Sequence, residues 1–262
     1  MIVAVVAFAA VSGAPATRRA DKIERVPKSA SEALGYVAFL PPSYSTDADK
    51  PTIIYLHGLG ERGNGSASDL NIPLTAGFPR LAATTNTLPD DASQLLILAP
   101  QTDDEYFDPD KLHIWLAHVL QSYRMDRTRL YLTGISMGGQ GVFDYLAKYG
   151  AEQEFAAAVP ISGNYLPLPL EVPPCDRLSG TPLWAFVGER DDVIPPQGSI
   201  QVVSYVNKAL PSCRGSAIDD LLGQFPQRVG SDLRPQRHRA IHRRPVGRQR
   251  PVDIFVVPPA SR

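Results

Sequence analysis

Leu130-Tyr131-Leu132-Thr133-Gly134-Ile135-Ser136-Met137-Gly138-Gly139 decides how this 262-residue chain is read. A strand-like apolar run enters a G-x-S-x-G stretch. A helical pattern follows, with Val142, Phe143, Tyr145, Leu146 and Tyr149 as its apolar stripe. Glycines on both sides of Ser136 permit a turn too sharp for side chains on its flanks. Such a turn leaves the serine hydroxyl at its tip and aims the next N–H at whatever the hydroxyl attacks. Ser136 is therefore the candidate nucleophile.

Short apolar runs alternate with helical patterns on either side of this stretch. The strand candidates are Gly35–Leu40, Thr52–Leu56, Leu95–Ala99, Arg129–Thr133, Ala156–Ile161 and Pro182–Val187. Helices are expected at Lys111–Tyr123, where Leu112, Trp115, Leu116, Val119 and Leu120 recur at three- and four-residue spacing, and at roughly Gly198–Leu210. The alternation predicts an α/β fold, a mostly parallel sheet covered by helices on both faces.

Composition divides the chain into three. Met1–Ala16 is apolar and ends in Ala14-Pro15-Ala16, an A-x-A cleavage pattern with Arg18-Arg19 beyond it, although no charged n-region precedes it. A signal peptide over residues 1–16 would place the protein outside the cytoplasm, secreted or periplasmic. The run is too short to span a membrane, and nothing later reaches that length. Residues 17–213 form the expected α/β domain. Residues 214–262 hold ten arginines against four aspartates, with no lysine or glutamate. That is a formal +6 in a chain whose net charge is −1. Gln227–Arg250 shows no hydrophobic period and reads as a disordered basic tail. No aromatics interleave with its arginines, which argues against nucleic acid. Cys175 and Cys213 are the only cysteines and, in an exported protein, a candidate disulfide.

A nucleophilic serine needs a base for its proton, an acid to orient that base, and N–H donors for the oxyanion. Phe186-Val187-Gly188-Glu189-Arg190-Asp191-Asp192 is a buried strand leading into a turn with carboxylates, two strands after Ser136. Asp191 is the favoured orienting acid, with Asp192 its rival. Ile53-Ile54-Tyr55-Leu56-His57-Gly58-Leu59-Gly60-Glu61-Arg62-Gly63 is a buried strand entering a glycine-rich loop. His57 precedes the nucleophile and is read as holding that loop. Glu61 and Arg62 either pair to shape a pocket or are solvated.

Ser136 followed by Asp191, with His57-Gly58-Leu59-Gly60 upstream, resembles the α/β-hydrolase superfamily. Four blocks resemble one branch more closely: Tyr55–Gly63, Ala99-Pro100-Gln101, Tyr131–Gly139 and Ala157–Gly163. They are similar to secreted serine esterases related to polyhydroxybutyrate depolymerases, a group also termed phospholipase/carboxylesterase or "predicted peptidase". The likeness covers roughly residues 35–213. It implies hydrolysis of a small or polymeric ester through an acyl-enzyme, with no metal or organic cofactor. It also implies the N–H groups of Leu59 and Met137 as oxyanion donors.

The chain departs from that group at the histidine. The expected Gly-His-x-x-Trp-x-x-x-Tyr is missing, and after Asp191 only His238 and His242 occur, both in the arginine-rich segment. His113 and His118 fall on the helix before the nucleophile strand. A one-base shift of the codons for Arg214–Pro235, with free choice of synonyms, can spell a strand followed by His-x-x-Trp-x-x-x-Tyr. Residues 214–262 thus read as a frameshifted product. The last strand and its histidine loop are expected to be lost, leaving an unpaired sheet edge and impaired catalysis. Two other readings are a peptidase or acyl-peptide hydrolase of the same fold and a catalytically dead binding module.

Overall fold

The computed structural model describes residues 22–29, 33–44, 48–84, 94–150, 152, 155–164, 181–209 and 253–257. The expected signal peptide, Cys175, Cys213, His238 and His242 lie outside these residues. Eight strands form one sheet: β1 (Lys22–Val26), β2 (Gly35–Leu40), β3 (Lys50–Leu56), β4 (Leu96–Gln101), β5 (Met125–Ile135), β6 (Ala157–Ile161), β7 (Trp184–Gly188) and β8 (Asp253–Val257). Their order across the sheet is β1-β2-β4-β3-β5-β6-β7-β8. The β1–β2 and β2–β4 pairs are antiparallel, and every later pair is parallel.

Period-two alternation divides the core between the two faces of the sheet. Tyr36, Ala38, Leu40, Ile54, Leu56, Leu98, Leu130 and Leu132 belong to one cluster. Helices α2 (Pro109–Ser122) and α3 (Met137–Tyr149) complete it with Leu112, Trp115, Leu116, Val142, Phe143, Tyr145 and Leu146. Val37, Phe39, Ile53, Tyr55, Ile97 and Ala99 face the other way, against Leu70 and helix α1 (Gly77–Thr84) with its Phe78 and Ala82. Burial on both faces is why Ile53–Leu56 of β3 and Leu96–Pro100 of β4 read as unbroken apolar runs. The start of α2 is set locally: Pro109 fixes φ at the first position, and the Asp108 carboxylate accepts the Asp110 N–H at 2.8 Å. Helix α4 (Gln197–Ala209) follows β7. No helix among the described residues is long and apolar enough to cross a membrane.

Two strands depart from the sequence reading. Strand β1, Lys-Ile-Glu-Arg-Val, sets three charged residues among two apolar ones at an edge and carries no apolar run. Strand β8 corrects the expectation of a missing last strand: it pairs in parallel with the whole of β7, from Trp184 opposite Asp253 to Gly188 opposite Val257. That edge of β7 is therefore covered. The tail is not uniformly arginine-rich. Asp253-Ile254-Phe255-Val256-Val257 is a short apolar, β-branched run with the local character of a buried strand.

Candidate active site

Ser136 sits at the N-cap of α3, directly after β5, with φ 56° and ψ −118°. A positive φ on a residue with a side chain costs on the order of 1–3 kcal/mol and persists only when its surroundings enforce it. Here they do. A Cβ on Gly138 would lie 2.1 Å from the Leu56 carbonyl oxygen, and one on Gly134 would lie 2.4 Å from the Gly138 carbonyl oxygen. Helix α3 therefore starts in backbone contact with the ends of β3 and β5. Two further bonds lock the turn: the Ser136 N–H donates to the Ile161 carbonyl at 2.9 Å, and the Ser136 carbonyl accepts the Gln140 N–H at 3.0 Å. Met137 is the first residue of α3, where an N–H has no partner within the helix.

The loop after β3 is held at both ends. His57 is buried, its Nε2 accepting the Thr102 N–H at 3.1 Å. Nδ1 therefore carries the proton and donates to the Gly58 carbonyl at 2.8 Å. Burial, with the Arg62 charge as a smaller contribution, pulls His57 down to about 4, so the ring is neutral at ordinary pH. The Gly58 N–H is taken by the Glu61 carboxylate at 2.7 Å, and the Glu61 N–H donates back to the Gly58 carbonyl at 3.2 Å. With two donors on its carbonyl, the Gly58–Leu59 peptide is fixed, and its N–H points the opposite way. Gln101, read only as part of a family block, anchors the far side. Its Nε2 donates to the carbonyls of Glu61 and Asp69, each at 3.0 Å. Glu61 thus caps the loop rather than pairing with Arg62.

Asp191 lies on the turn after β7. Its Oδ1 accepts the N–H groups of Ile194 at 2.9 Å and Val193 at 3.1 Å. These bonds, the Ile194 one foremost, together with the Ser162 hydroxyl, hold the carboxyl below the usual aspartate range. Asp192 is exposed, and no bond to its carboxylate is found among the described residues. Ser162, which the sequence reading did not single out, follows β6 with φ 45°.

The described residues bring no imidazole to Ser136 or Asp191. His57 is committed to Gly58 and Thr102. His113 bonds the Tyr145 hydroxyl at 3.0 Å and stacks on Tyr149. His118 meets Ser122 at 3.1 Å. Nor do they hold a cluster of three or more His, Cys, Asp or Glu placed to bind a metal.

No family model and no curated protein matches the chain. Among solved structures it is similar to a thermostable esterase (24% identity, TM-score 0.52, 72% of this chain and 52% of that one). A second is fluorophosphonate-binding serine hydrolase F, FphF, of Staphylococcus aureus (17% identity, TM-score 0.52, 71% of this chain and 86% of that one). A third is a protein named FAE (16% identity, TM-score 0.55, 76% of each chain). The chain spans about half the length of the thermostable esterase, 52% of it. Strand order, parallel crossovers, the strained serine between β5 and α3 and these likenesses agree: the chain has the α/β-hydrolase fold.

Proposed function

We propose that the chain is a serine hydrolase of carboxylic esters that works through an acyl-enzyme and is impaired in turnover because no base stands beside Ser136 among the described residues. The observation that carries this reading is the conformation of Ser136, a strained serine held by backbone contacts at a helix N-terminus. The Ser136 hydroxyl attacks the ester carbonyl and gives its proton to a base. The carbonyl oxygen becomes an oxyanion between the Leu59 and Met137 N–H groups. The C–O bond to the alcohol then breaks, and the alcohol leaves with that proton. Water repeats the attack on the acyl-Ser136 and releases the acid. Asp191 is the orienting acid: held ionised, it accepts an imidazole N–H and stabilises the imidazolium formed during attack. His57 orients the oxyanion loop and is not the base.

Two features support the finer reading. The Gly58 N–H is already spent on Glu61 and so does not compete with the Leu59 N–H for an oxyanion. The apolar side chains of Leu59, in the loop after β3, and Ile135, next to Ser136, are exposed, a surface suited to an apolar acyl or alcohol group. The apolar start of the chain, with its A-x-A pattern, supports export. The test is hydrolysis of p-nitrophenyl butyrate by the full chain, with and without added imidazole as a substitute base, beside a matched p-nitroanilide. Imidazole-dependent release from the ester, lost in Ser136→Ala, is expected. Preferential release from the anilide would favour a peptidase, and no release from either would favour a binding module.

A further inference from the structure

Leu59–Glu61 forms a single 3-10 turn after β3, and none of its residues is buried. Leu59 is 55% exposed, and a Cβ on Gly60 would meet nothing within 4 Å. Little packing holds this turn, so hydrogen bonds must set its place. Some of them lie within the loop and would travel with it: the Gly58 N–H donates to the Glu61 carboxylate, and the Glu61 N–H to the Gly58 carbonyl. Others reach the end of β4. His57 ties the entry to the Thr102 N–H, and beyond the turn the Gly63 N–H donates to the Thr102 carbonyl at 3.1 Å. On the turn itself, the outside tie is the Gln101 amide, whose Nε2 donates to the Glu61 carbonyl at 3.0 Å.

The Gln101 side chain is committed to this task. It is buried, and both amide hydrogens go to main-chain carbonyls, those of Glu61 and Asp69. Its Oε1 meets no donor among the described residues. A buried acceptor left unmet costs free energy, and a methionine of similar shape would avoid that cost. The amide is therefore held for its donors. The chain also makes room for it, since a Cβ on Gly63 would lie 2.5 Å from Nε2. Glu61 passes the restraint on, because its carboxylate and its N–H both close on Gly58, and the Gly58–Leu59 peptide lies between them. We propose that Gln101 is a positioning residue for the oxyanion: from the end of β4 it holds, through Glu61, the Leu59 N–H in place. The inference rests on the reading of Leu59 as an oxyanion donor to the ester attacked by Ser136.

The test compares the full chain with Gln101→Met in imidazole-supported hydrolysis of p-nitrophenyl butyrate and of its thiono analogue, in which sulfur replaces the carbonyl oxygen. Sulfur accepts hydrogen bonds weakly, so the thionoester gains little from the oxyanion donors. In Gln101→Met kcat on the ester is expected to fall about tenfold with KM within about twofold, while the thionoester rate stays within about twofold. Equal losses on both substrates would overturn the proposal, because general damage to the fold slows both alike. NMR of the unaltered chain is a second measurement, needed if Gln101→Met does not fold. The Gln101 side-chain N–H groups are expected to exchange with solvent far more slowly than those of the exposed Gln121, and equal rates would overturn the proposal. If the unaltered chain cleaves neither ester, the hydrolase reading fails and takes the proposal with it. If it cleaves both and their ratio is unchanged in Gln101→Met, the proposal alone fails.

Discussion

The two ends of the candidate site, at Ser136 and at Asp191, are built by different means. At the β5–α3 turn the work is steric: Gly134 and Gly138 press on backbone atoms, and no flexible side chain can yield. On the turn after β7 the work is done by hydrogen bonds to one carboxylate. There Gly188 has room, since a Cβ would meet the Asp191 Cβ at an ordinary 3.4 Å. Steric demands of the first kind leave glycines in the sequence. Main-chain donors of the second kind leave no mark, because nearly any residue supplies an N–H.

The largest expected effect breaks that comparison most directly. Gly138→Ala should cost about 3 kcal/mol of stability or more, since its Cβ would lie 2.1 Å from the Leu56 carbonyl oxygen. Gly188→Ala should cost about 0.5 kcal/mol or less. Urea unfolding of both variants is the measurement, and similar midpoints would erase the distinction between the two ends. Next in size, Asp191→Asn should lower imidazole-supported kcat about tenfold or more while KM stays within about twofold, because the acid orients a base and does not hold substrate. Asp192→Asn, at an exposed position, should leave both within about twofold. A larger effect at Asp192 would move the acid by one residue.

A smaller effect concerns the pH dependence of stability. Burial pushes Asp144, on α3, up to about 7, against a hydrogen bond from Gln140 that lowers it. Folded Asp144 keeps its proton longer than the unfolded chain does. Its contribution is therefore full below about 3.8 and is lost as pH rises through about 7. His57 has the opposite sign. Lowered to about 4 from 6.5, its contribution is full above about 6.5 and is lost as pH falls towards 4. Asp144→Asn should thus stabilise the chain by about 1 kcal/mol at pH 8 and by almost nothing at pH 4. In that variant stability should climb between pH 4 and 6.5. Thermal unfolding of both proteins from pH 4 to 8 reads both, and a profile of the variant that is flat between pH 4 and 6.5 would remove the case for a neutral, buried His57.

How much the sequence discloses follows the same division. Six strands and the helices after the elbow are legible because burial imposes apolar runs, while β1 and β8 are not. The charged residues of Lys22–Val26 sit at an open edge, and Asp253–Val257 is hidden in a stretch whose average composition is basic. At the site, Ser136 is announced by its glycines, and His57 by its place before Gly58. Ser162, by its strained backbone, and Gln101, by its two hydrogen bonds, shape the site in ways that no pattern marks. Their only signal is position, one residue beyond β6 and the last residue of β4, at the end of the sheet where Ser136 stands.

The central claim is that Ser136 is a nucleophile already aimed, with no base beside it among the described residues. Peptide mapping of the full chain after fluorophosphonate treatment, over a series of imidazole concentrations, tests it directly. The account predicts an adduct on Ser136 that forms slowly alone and faster as imidazole increases, and that disappears in Ser136→Ala. An adduct on a different serine, or none at Ser136 at any imidazole concentration, would contradict it.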